Sequence, residues 1–228
     1  MDSLGLPEGN LPNYRALMLD MRATLNASNA RDFWSFAIEP TCLSIANRLE
    51  LQPRGTEGES IDHWENLRCI QMETHRSFAL SLGALWERNI RENLRNAAYV
   101  LRTPTAESLI KDIDGNGWAG LERAFKSIRE FDLAWFPTHR KLYELFLASS
   151  AIRHGDGRSA ERLYEIDHSY FLDEVEETGF YAYFAYGGYP ASAVRKLDIP
   201  LERLAEFVNA IADFWLTIDR LRRSSSAV

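Results

Sequence analysis

The sequence predicts an all-α fold, a multi-helix bundle with two long helices and a short aromatic loop or hairpin insertion. Apolar residues recur at helical spacing over most of the 228 residues. Only 8 Pro and 13 Gly interrupt the chain, which leaves room for long helices. The length suits one compact domain, so we expect a single helical domain over residues 1–228, with a frayed tail at 224–228.

Eight helical segments follow from the periodicity of the apolar residues. In chain order they are Asn13–Leu25, Asp32–Leu51, Ile61–Arg102, Ala106–Ile113, Trp118–Phe131, Thr138–His154, Arg158–Ile166 and Leu201–Leu221. Asp198 and Pro200 are start signals for the last helix. The segment 52–59 is polar and carries Gly and Pro, which is typical of a loop.

Two small-residue features concern how the helices pack. The helix over 61–102 is long enough that we expect a kink, with Gly83 as the natural position. The four small residues at 148–151 would let a neighbouring backbone come close.

The segment from Phe180 to Tyr189, FYAYFAYGGY, departs from the helical pattern. Its aromatic residues and its Gly-Gly pair favour a short strand or an aromatic loop. We expect this insertion to occupy about residues 170–195, covered by a helix, because ten such residues in water would form an association surface.

Composition excludes several function classes. The formal net charge is −7, so the whole molecule does not attract nucleic acid, and any such binding needs a local basic patch. Of the 26 basic residues 22 are Arg, which binds phosphate or carboxylate at two points but also forms helix-surface ion pairs. Common hydrolase, metalloprotease and nucleotide-binding motifs are absent from the sequence, and we expect no cofactor or metal.

The spacing of the cysteines and the hydropathy of the chain predict the cellular compartment. Cys42 and Cys69 have neither disulfide-framework nor zinc-site spacing, and both are predicted to be small buried hydrophobes. No stretch approaches the roughly 18 apolar residues of a membrane span, and the N-terminus lacks the pattern of a signal peptide. We therefore expect a cytoplasmic protein that does not contact membranes.

One predicted corner combines cations with helix-ending residues. Arg153 and His154 end one helix, and Arg158 begins the next. Gly155 suits the left-handed conformation that ends a helix, and Asp156 suits the cap of the helix that follows. The corner is either a phosphate-contacting cluster or a set of good capping residues.

The first long helix carries a polar stretch at 86–96. Glu87 and Arg91 lie four residues apart, as do Arg88 and Glu92, and this order suits ion pairs on a solvated helix face. Three asparagines in the same stretch lower the helix propensity and indicate a polar task. Both interpretations stay open.

A further candidate site begins at Asp112, where the pattern DxDxNG starts like a calcium-binding loop. The twelfth position, which needs a bidentate Glu, is Arg123, and Glu122 comes one residue early. A tight turn between two helices is the alternative interpretation.

The run from Ala148 to Leu163, ASSAIRHGDGRSAERL, resembles a block of bacterial helical proteins with the pattern small-Asn-x-hydrophobic-Lys-His-Gly-x-Gly-x-Ser. Here Ser150 replaces the Asn and Arg153 the Lys. The run Leu197–Pro200, leading into the aromatic pair at 214–215, resembles the C-terminal helix of the same group. That group is similar in turn to the HEPN superfamily, helical bundles that include metal-independent RNases of toxin–antitoxin and phage-defence systems.

The resemblance implies a toxin or phage-defence protein that cleaves RNA without a metal, acts as a homodimer and pairs with a neighbouring antitoxin or defence protein. His154 would activate the RNA 2′-hydroxyl or protonate the leaving oxygen, and an Arg would stabilise the phosphate charge. The superfamily's Arg-x(4–6)-His motif is not met at His154. We therefore expect His154 and Arg153 to be central, with Arg158 and Glu87 nearby. The missing guanidinium would come from Arg158 or, alternatively, from an arginine at 88, 91 or 95.

Two other functions stay open. In the first, the chain is a non-catalytic helical protein-interaction module with a degenerate site, and the corner is a structural cap. In the second, it is a calcium-responsive helix-loop-helix protein built on Asp112 to Glu122.

Overall fold

A computed structural model describes residues 19–51, 58–101, 106–115, 117–172 and 191–225. These residues confirm the all-α fold with two long helices. The helices are α1 (Ala23–Phe33), α2 (Glu39–Leu51), α3 (Gly58–Leu101), α4 (Ala106–Asp114), α5 (Trp118–Arg129), α6 (His139–His154), α7 (Arg158–Ile166) and α8 (Leu201–Ser225). Three 3-10 turns lie at Leu133–Trp135, His168–Tyr170 and Val194–Lys196.

The helices group into two compact units. Unit 1 contains residues up to Arg31, Leu85–Tyr143 and residues from Asn209 onward. Unit 2 contains Asp32–Ala84 and Glu144–Val208. Both long helices contribute to both units. The single domain over 1–228 stays a prediction.

Aromatic side chains form much of the core of unit 1. Trp86 of α3 stacks on Trp118 of α5, with ring centroids 5.5 Å apart. The ring centroids of Phe214 in α8 and Phe136 lie 4.6 Å apart, and Phe136 also packs edge-on against Phe125. Of these residues, Trp86, Phe125 and Phe214 are at positions that the helical periodicity placed on buried faces.

Unit 2 contains a close approach between α3 and α6. The helix α3 is uninterrupted through Gly83, where a kink was expected. A Cβ atom built on Gly83 would lie 2.6 Å from both Cβ and Oγ of Ser149. Gly83 therefore provides space for Ser149, and the prediction that residues 148–151 admit a neighbouring backbone is confirmed.

The N-terminal helices differ from the prediction. Residues 13–18 of the helix predicted over Asn13–Leu25 lie outside the described residues. From Ala23 to Leu51 the chain is helical without a break, with a π-turn at Trp34–Ile38, so the predicted gap before a separate helix over Asp32–Leu51 is wrong. Ala23, Ala27 and Ala30 are buried at helical spacing, and this packing outweighs the low helix propensity of the intervening Asn and Ser residues.

The π-turn precedes Pro40, which has no N–H to donate and whose ring crowds the preceding turn. The Glu39 N–H donates to the Trp34 carbonyl, five residues back. This wider turn accommodates the proline within a continuous helix.

Several boundaries are corrected by the structure. The helix α5 ends at Arg129 instead of Phe131, because Glu130 adopts a left-handed conformation with φ 65°. The helix α8 continues to Ser225, so the predicted frayed tail does not begin at residue 224. Residues 226–228 lie outside the described part.

Most of the predicted aromatic insertion, residues 173–190, also lies outside the described residues. Its two described ends are joined by an antiparallel bridge between Phe171 and Leu197. The Leu172 N–H donates to the Lys196 carbonyl at 2.9 Å, and the Asp198 N–H donates to the Tyr170 carbonyl at 2.8 Å.

The two cysteines differ in exposure. Cys42 is buried, as predicted, and burial raises the pKa of its thiol to about 11. Cys69 is exposed, so its predicted burial is wrong. It lies beside the exposed Ile70 on the outward face of α3, whereas Leu67 and Met72 are buried.

Within the described ranges, no helix combines the length and apolar character needed to cross a bilayer.

Candidate phosphate-binding corner

The predicted corner connects α6 to α7 in unit 2. The helix α6 ends at His154, and α7 begins at Arg158. Gly155 has φ 81°, and its N–H donates to the Ala151 carbonyl at 2.8 Å. The predicted left-handed helix end is therefore confirmed. Gly157, with φ 149°, completes the turn into α7.

The three cationic side chains of this corner are exposed. We call Arg153, His154 and Arg158 the cationic corner. Among the described residues, none of the three has a hydrogen bond or an ion pair. Other arginines of the chain, such as Arg91 and Arg203, are engaged by carboxylates. The cationic corner is thus open to an anion from solution.

Asp156 does not cap α7, contrary to the prediction. The N-cap of α7 is Gly157, without a side-chain hydrogen bond. The Asp156 carboxylate instead accepts the N–H of Val194 at 2.6 Å. This hydrogen bond attaches the 3-10 turn at Val194–Lys196 to the corner.

Packing between α6 and α7 stabilises the corner. The hydroxyl of Ser159 donates to that of Ser150 at 3.0 Å. Ala151, Ala160 and Leu163 are completely buried. Ser150 is the position where the resembling proteins carry Asn, and here it links the two helices.

A buried polar network ties α6 to α8 within unit 2. The Tyr170 hydroxyl donates to the Glu144 carboxylate at 2.9 Å, and both side chains are buried. Arg203 lies 4.7 Å from the centre of the Tyr170 ring and pairs with Asp167 at 3.0 Å. Burial raises the pKa of Tyr170, so its hydroxyl stays protonated and donates the hydrogen bond that Glu144 accepts.

Glu87 belongs to unit 1, whereas the cationic corner belongs to unit 2. The Glu87 carboxylate forms an ion pair with Arg91 at 2.7 Å, so the predicted i,i+4 ion pair is confirmed. Glu92 pairs with Arg22 instead of Arg88. A contribution of Glu87 to the chemistry of His154 stays a prediction.

The asparagines of α3 contribute to a buried network in unit 1. Asn93 accepts a hydrogen bond from Arg129, whose guanidinium also pairs with Asp20 at 2.6 Å. The polar task that the asparagines indicated is, at this position, structural.

The acidic residues at the end of α4 are engaged in ion pairs. Arg123, at the position where a calcium loop needs Glu, donates to Asp112 at 2.7 Å and holds the pKa of that carboxyl below its usual value. Asp114 pairs with Arg95, and Glu122 with His139 at 2.8 Å. Among the described residues, no group of three His, Cys, Asp or Glu side chains is placed to hold a metal ion.

Sequence reasoning missed a set of contacts that we call the α3 clamp. Three side chains of α3, those of Arg68, His75 and Arg76, hold the segment Arg195–Ile199. Arg68 pairs with Asp198, the His75 Nδ1–H donates to the Ile199 carbonyl, and Arg76 donates to the carbonyls of Arg195 and Leu197, all at 2.7–2.8 Å. Arg68 and His75 are seven residues apart, which places them on one face of a helix, and this spacing was the available signal.

His75 makes the stability of the protein depend on pH. Its ring is buried, and among the described residues its Nε2 has no hydrogen-bond partner. Burial lowers the pKa of His75 below 6.5, and the charge of Arg68 lowers it further. The negative charges of Asp198 and Glu202 raise the pKa but do not outweigh burial. Above pH 6.5 the ring is neutral in both the folded and unfolded states. As the pH falls below 6.5, the unfolded state binds the proton first, so folding stability falls.

Urea denaturation between pH 8 and pH 5 checks this prediction. The His75→Gln variant should lose less stability than the wild type as the pH falls through 6.5. The variant His168→Gln, at an exposed histidine, should follow the wild-type curve. Parallel curves for the wild type and His75→Gln would show that His75 is not responsible.

We compared the chain with family models, with curated proteins and with solved structures, and none of the three comparisons found a match.

Proposed function

We propose that this chain is a HEPN-like toxin or phage-defence protein that cleaves RNA without a metal ion, with the cationic corner as its active site. The observation that carries the proposal is the exposure of His154 between two exposed arginines, with no competing partner among the described residues. An imidazole and guanidinium groups are the side chains that general acid–base catalysis at a phosphodiester needs.

The reaction follows from these groups. The RNA 2′-oxygen attacks the adjacent phosphorus, the bond from phosphorus to the 5′-oxygen breaks, and a 2′,3′-cyclic phosphate and a 5′-hydroxyl form. His154 either accepts the 2′-hydroxyl proton or donates a proton to the leaving 5′-oxygen. Arg153 and Arg158 stabilise the charge that develops on the phosphoryl oxygens.

One imidazole serves only one of these two proton transfers at a time. A second copy of the chain would bring a second His154, which is why a homodimer belongs to the proposal. The action of the protein on cytoplasmic RNA and its control by a neighbouring antitoxin or defence protein are further parts of it.

Cleavage of labelled single-stranded RNA in the presence of EDTA tests the proposal. We expect the wild type to cleave and His154→Ala to lose about 100-fold or more in rate, the usual contribution of a general acid or base. His168→Ala removes another exposed histidine from unit 2 and should cleave like the wild type. Loss of cleavage in EDTA, or an unchanged rate in His154→Ala, would contradict the proposal.

The contacts around Gly155 favour a second candidate, a non-catalytic interaction module. The left-handed Gly155 and the bond from Val194 to Asp156 stabilise the corner whether or not it binds RNA. This candidate predicts that the wild type does not cleave RNA, and that His154→Ala changes at most the unfolding temperature.

A further inference from the structure

An exposed apolar row runs along the outer face of the helix that leads through the π-turn into α2. Phe36 and Leu51 are each 81% exposed, and Leu43 is 46% exposed. Pro40, between Phe36 and Leu43, is also exposed. We call these four residues the outer row, and all of them belong to unit 2. Large apolar side chains grouped on one helix face indicate an association surface.

The outer row lies opposite the face that packs into the core. Ile38 and Cys42, on the other side of the same helix, are buried. From Phe36 to the exposed Asn47, the row advances by four, three and four residues, which is the spacing of the seam of a coiled coil. The outer row therefore suits a second helix as its partner.

Opposite charges lie along the two edges of the outer row. A helix turns by about 100° per residue, which places Glu50 beside Leu43 on one edge and Arg48 beyond Leu51 on the other. Both charged side chains are exposed, and among the described residues neither forms an ion pair. Both charges are thus available to a partner.

A second copy of the chain satisfies these charges when the two helices run parallel. In an antiparallel pair the same edges meet, so Glu50 of one copy lies on the side of Glu50 of the other, and like charges oppose the pairing. In a parallel pair opposite edges meet, and Glu50 of each copy faces Arg48 of the other. Asn47 then lies against Asn47 of the other copy, and a single central asparagine fixes register and oligomer state in coiled coils.

We propose that the outer row is the interface between two copies of this chain, which pack as parallel helices with Arg48 and Glu50 paired between the copies. The inference rests on the proposed function only in the need for a second copy, because one imidazole serves one of the two proton transfers at a time. It names the surface through which the second His154 is recruited.

Sedimentation of the full chain over a range of concentrations tests the interface. We expect the wild type to reach twice the mass of one chain, and Phe36→Ser to keep the mass of one chain. The control Tyr99→Ser removes an exposed aromatic side chain of unit 1 and should sediment like the wild type. Circular dichroism should show the same helix content in all three proteins, because both substitutions are at exposed side chains.

Charge reversal tests the pairing between the copies. Arg48→Glu and Glu50→Arg should each sediment with the mass of one chain, because each places like charges opposite one another. An equal mixture of the two variants should recover the mass of two chains, because a chain with two arginines then faces a chain with two glutamates.

Disulfide formation tests the parallel orientation. With the exposed Cys69 replaced by serine, Leu43→Cys and Asn47→Cys should each crosslink two copies on oxidation, because every residue of a parallel, in-register pair faces its own counterpart. In an antiparallel pair at most one of the two positions lies at the two-fold axis, and the other is too far from its counterpart to form the bond.

A dimeric wild type that Phe36→Ser leaves dimeric, or a mixture of the charge variants that stays monomeric, would overturn this inference and leave the proposed function standing. A monomeric wild type would contradict the inference together with the homodimer of the proposed function, and the outer row would then belong to a different partner. If the dimer passes these tests and does not cleave RNA, the proposed function alone fails.

Discussion

Replacing Arg129 by leucine is expected to lower the free energy of unfolding by about 3–5 kcal/mol, the usual cost of removing one partner from a buried ion pair. The side chains of Arg129 and Asp20 are 1% and 0% exposed, and their closest N–O distance is 2.6 Å. Without the guanidinium, the Asp20 carboxyl stays buried beside Asn93 and loses its closest counterion, so it must either remain charged at a high cost or take up a proton.

The directions of the two pKa values support this expectation. Burial raises the pKa of Asp20 and lowers that of Arg129, and in each case the partner's charge opposes the effect of burial. The charged states therefore depend on each other. Removing both partners together, in Asp20→Leu/Arg129→Leu, should recover part of the lost stability, because apolar replacements of buried ion pairs are often neutral.

Urea denaturation at pH 7 measures these effects, and α5 supplies its own control. Arg123 forms an ion pair with Asp112 in which the arginine is largely exposed. Arg123→Leu should leave the unfolding midpoint close to that of the wild type, because an exposed pair is screened by water. Equal losses in Arg123→Leu and Arg129→Leu would contradict the argument from burial.

Replacing Gly83 by alanine is expected to destabilise the protein by about 1–3 kcal/mol, the usual cost of overpacking. In an ordinary helix interior the same change stabilises by about 1 kcal/mol. Here the new methyl group would lie 2.6 Å from the Cβ of Ser149, so α3 or α6 must shift. The sign of the effect is therefore opposite to that expected from helix propensity.

A pair of second substitutions identifies the clashing atom. Gly83→Ala combined with Ser149→Gly removes the opposing Cβ and should recover stability relative to Gly83→Ala. The combination with Ser149→Ala keeps the Cβ and should recover much less. Thermal unfolding of the three variants checks this, and a Gly83→Ala protein as stable as the wild type would show that the two helices are not in close contact.

Local patterns in the sequence predicted most of the helices. The apolar periodicity predicted α8 and α3 almost to their ends, because in both helices the apolar positions repeat over many turns. The region around Asn26–Arg31 was misjudged because its Asn and Ser residues lower helix propensity. The burial of Ala27 and Ala30, which maintains the helix there, depends on tertiary packing that local propensity does not contain.

The local features of the candidate site were predictable from the sequence, whereas its long-range contacts were not. Gly155 ends its helix as the local sequence requires, because a left-handed residue suits glycine. The partner of Asp156 lies 38 residues away, and that of His75 lies 124 residues away. Such contacts depend on how the chain folds back on itself, so local capping rules assigned Asp156 to α7 instead of Val194.

The most direct test of the central claim is whether RNA contacts His154. The chain has five histidines, so single His→Gln variants can assign their ring signals in ¹H–¹⁵N NMR spectra. When single-stranded 2′-O-methyl RNA is added, we predict a large shift of the His154 signals and none for the buried His75 or the exposed His168. Shifts at other histidines while His154 stays unchanged would contradict a phosphate-binding role for the corner.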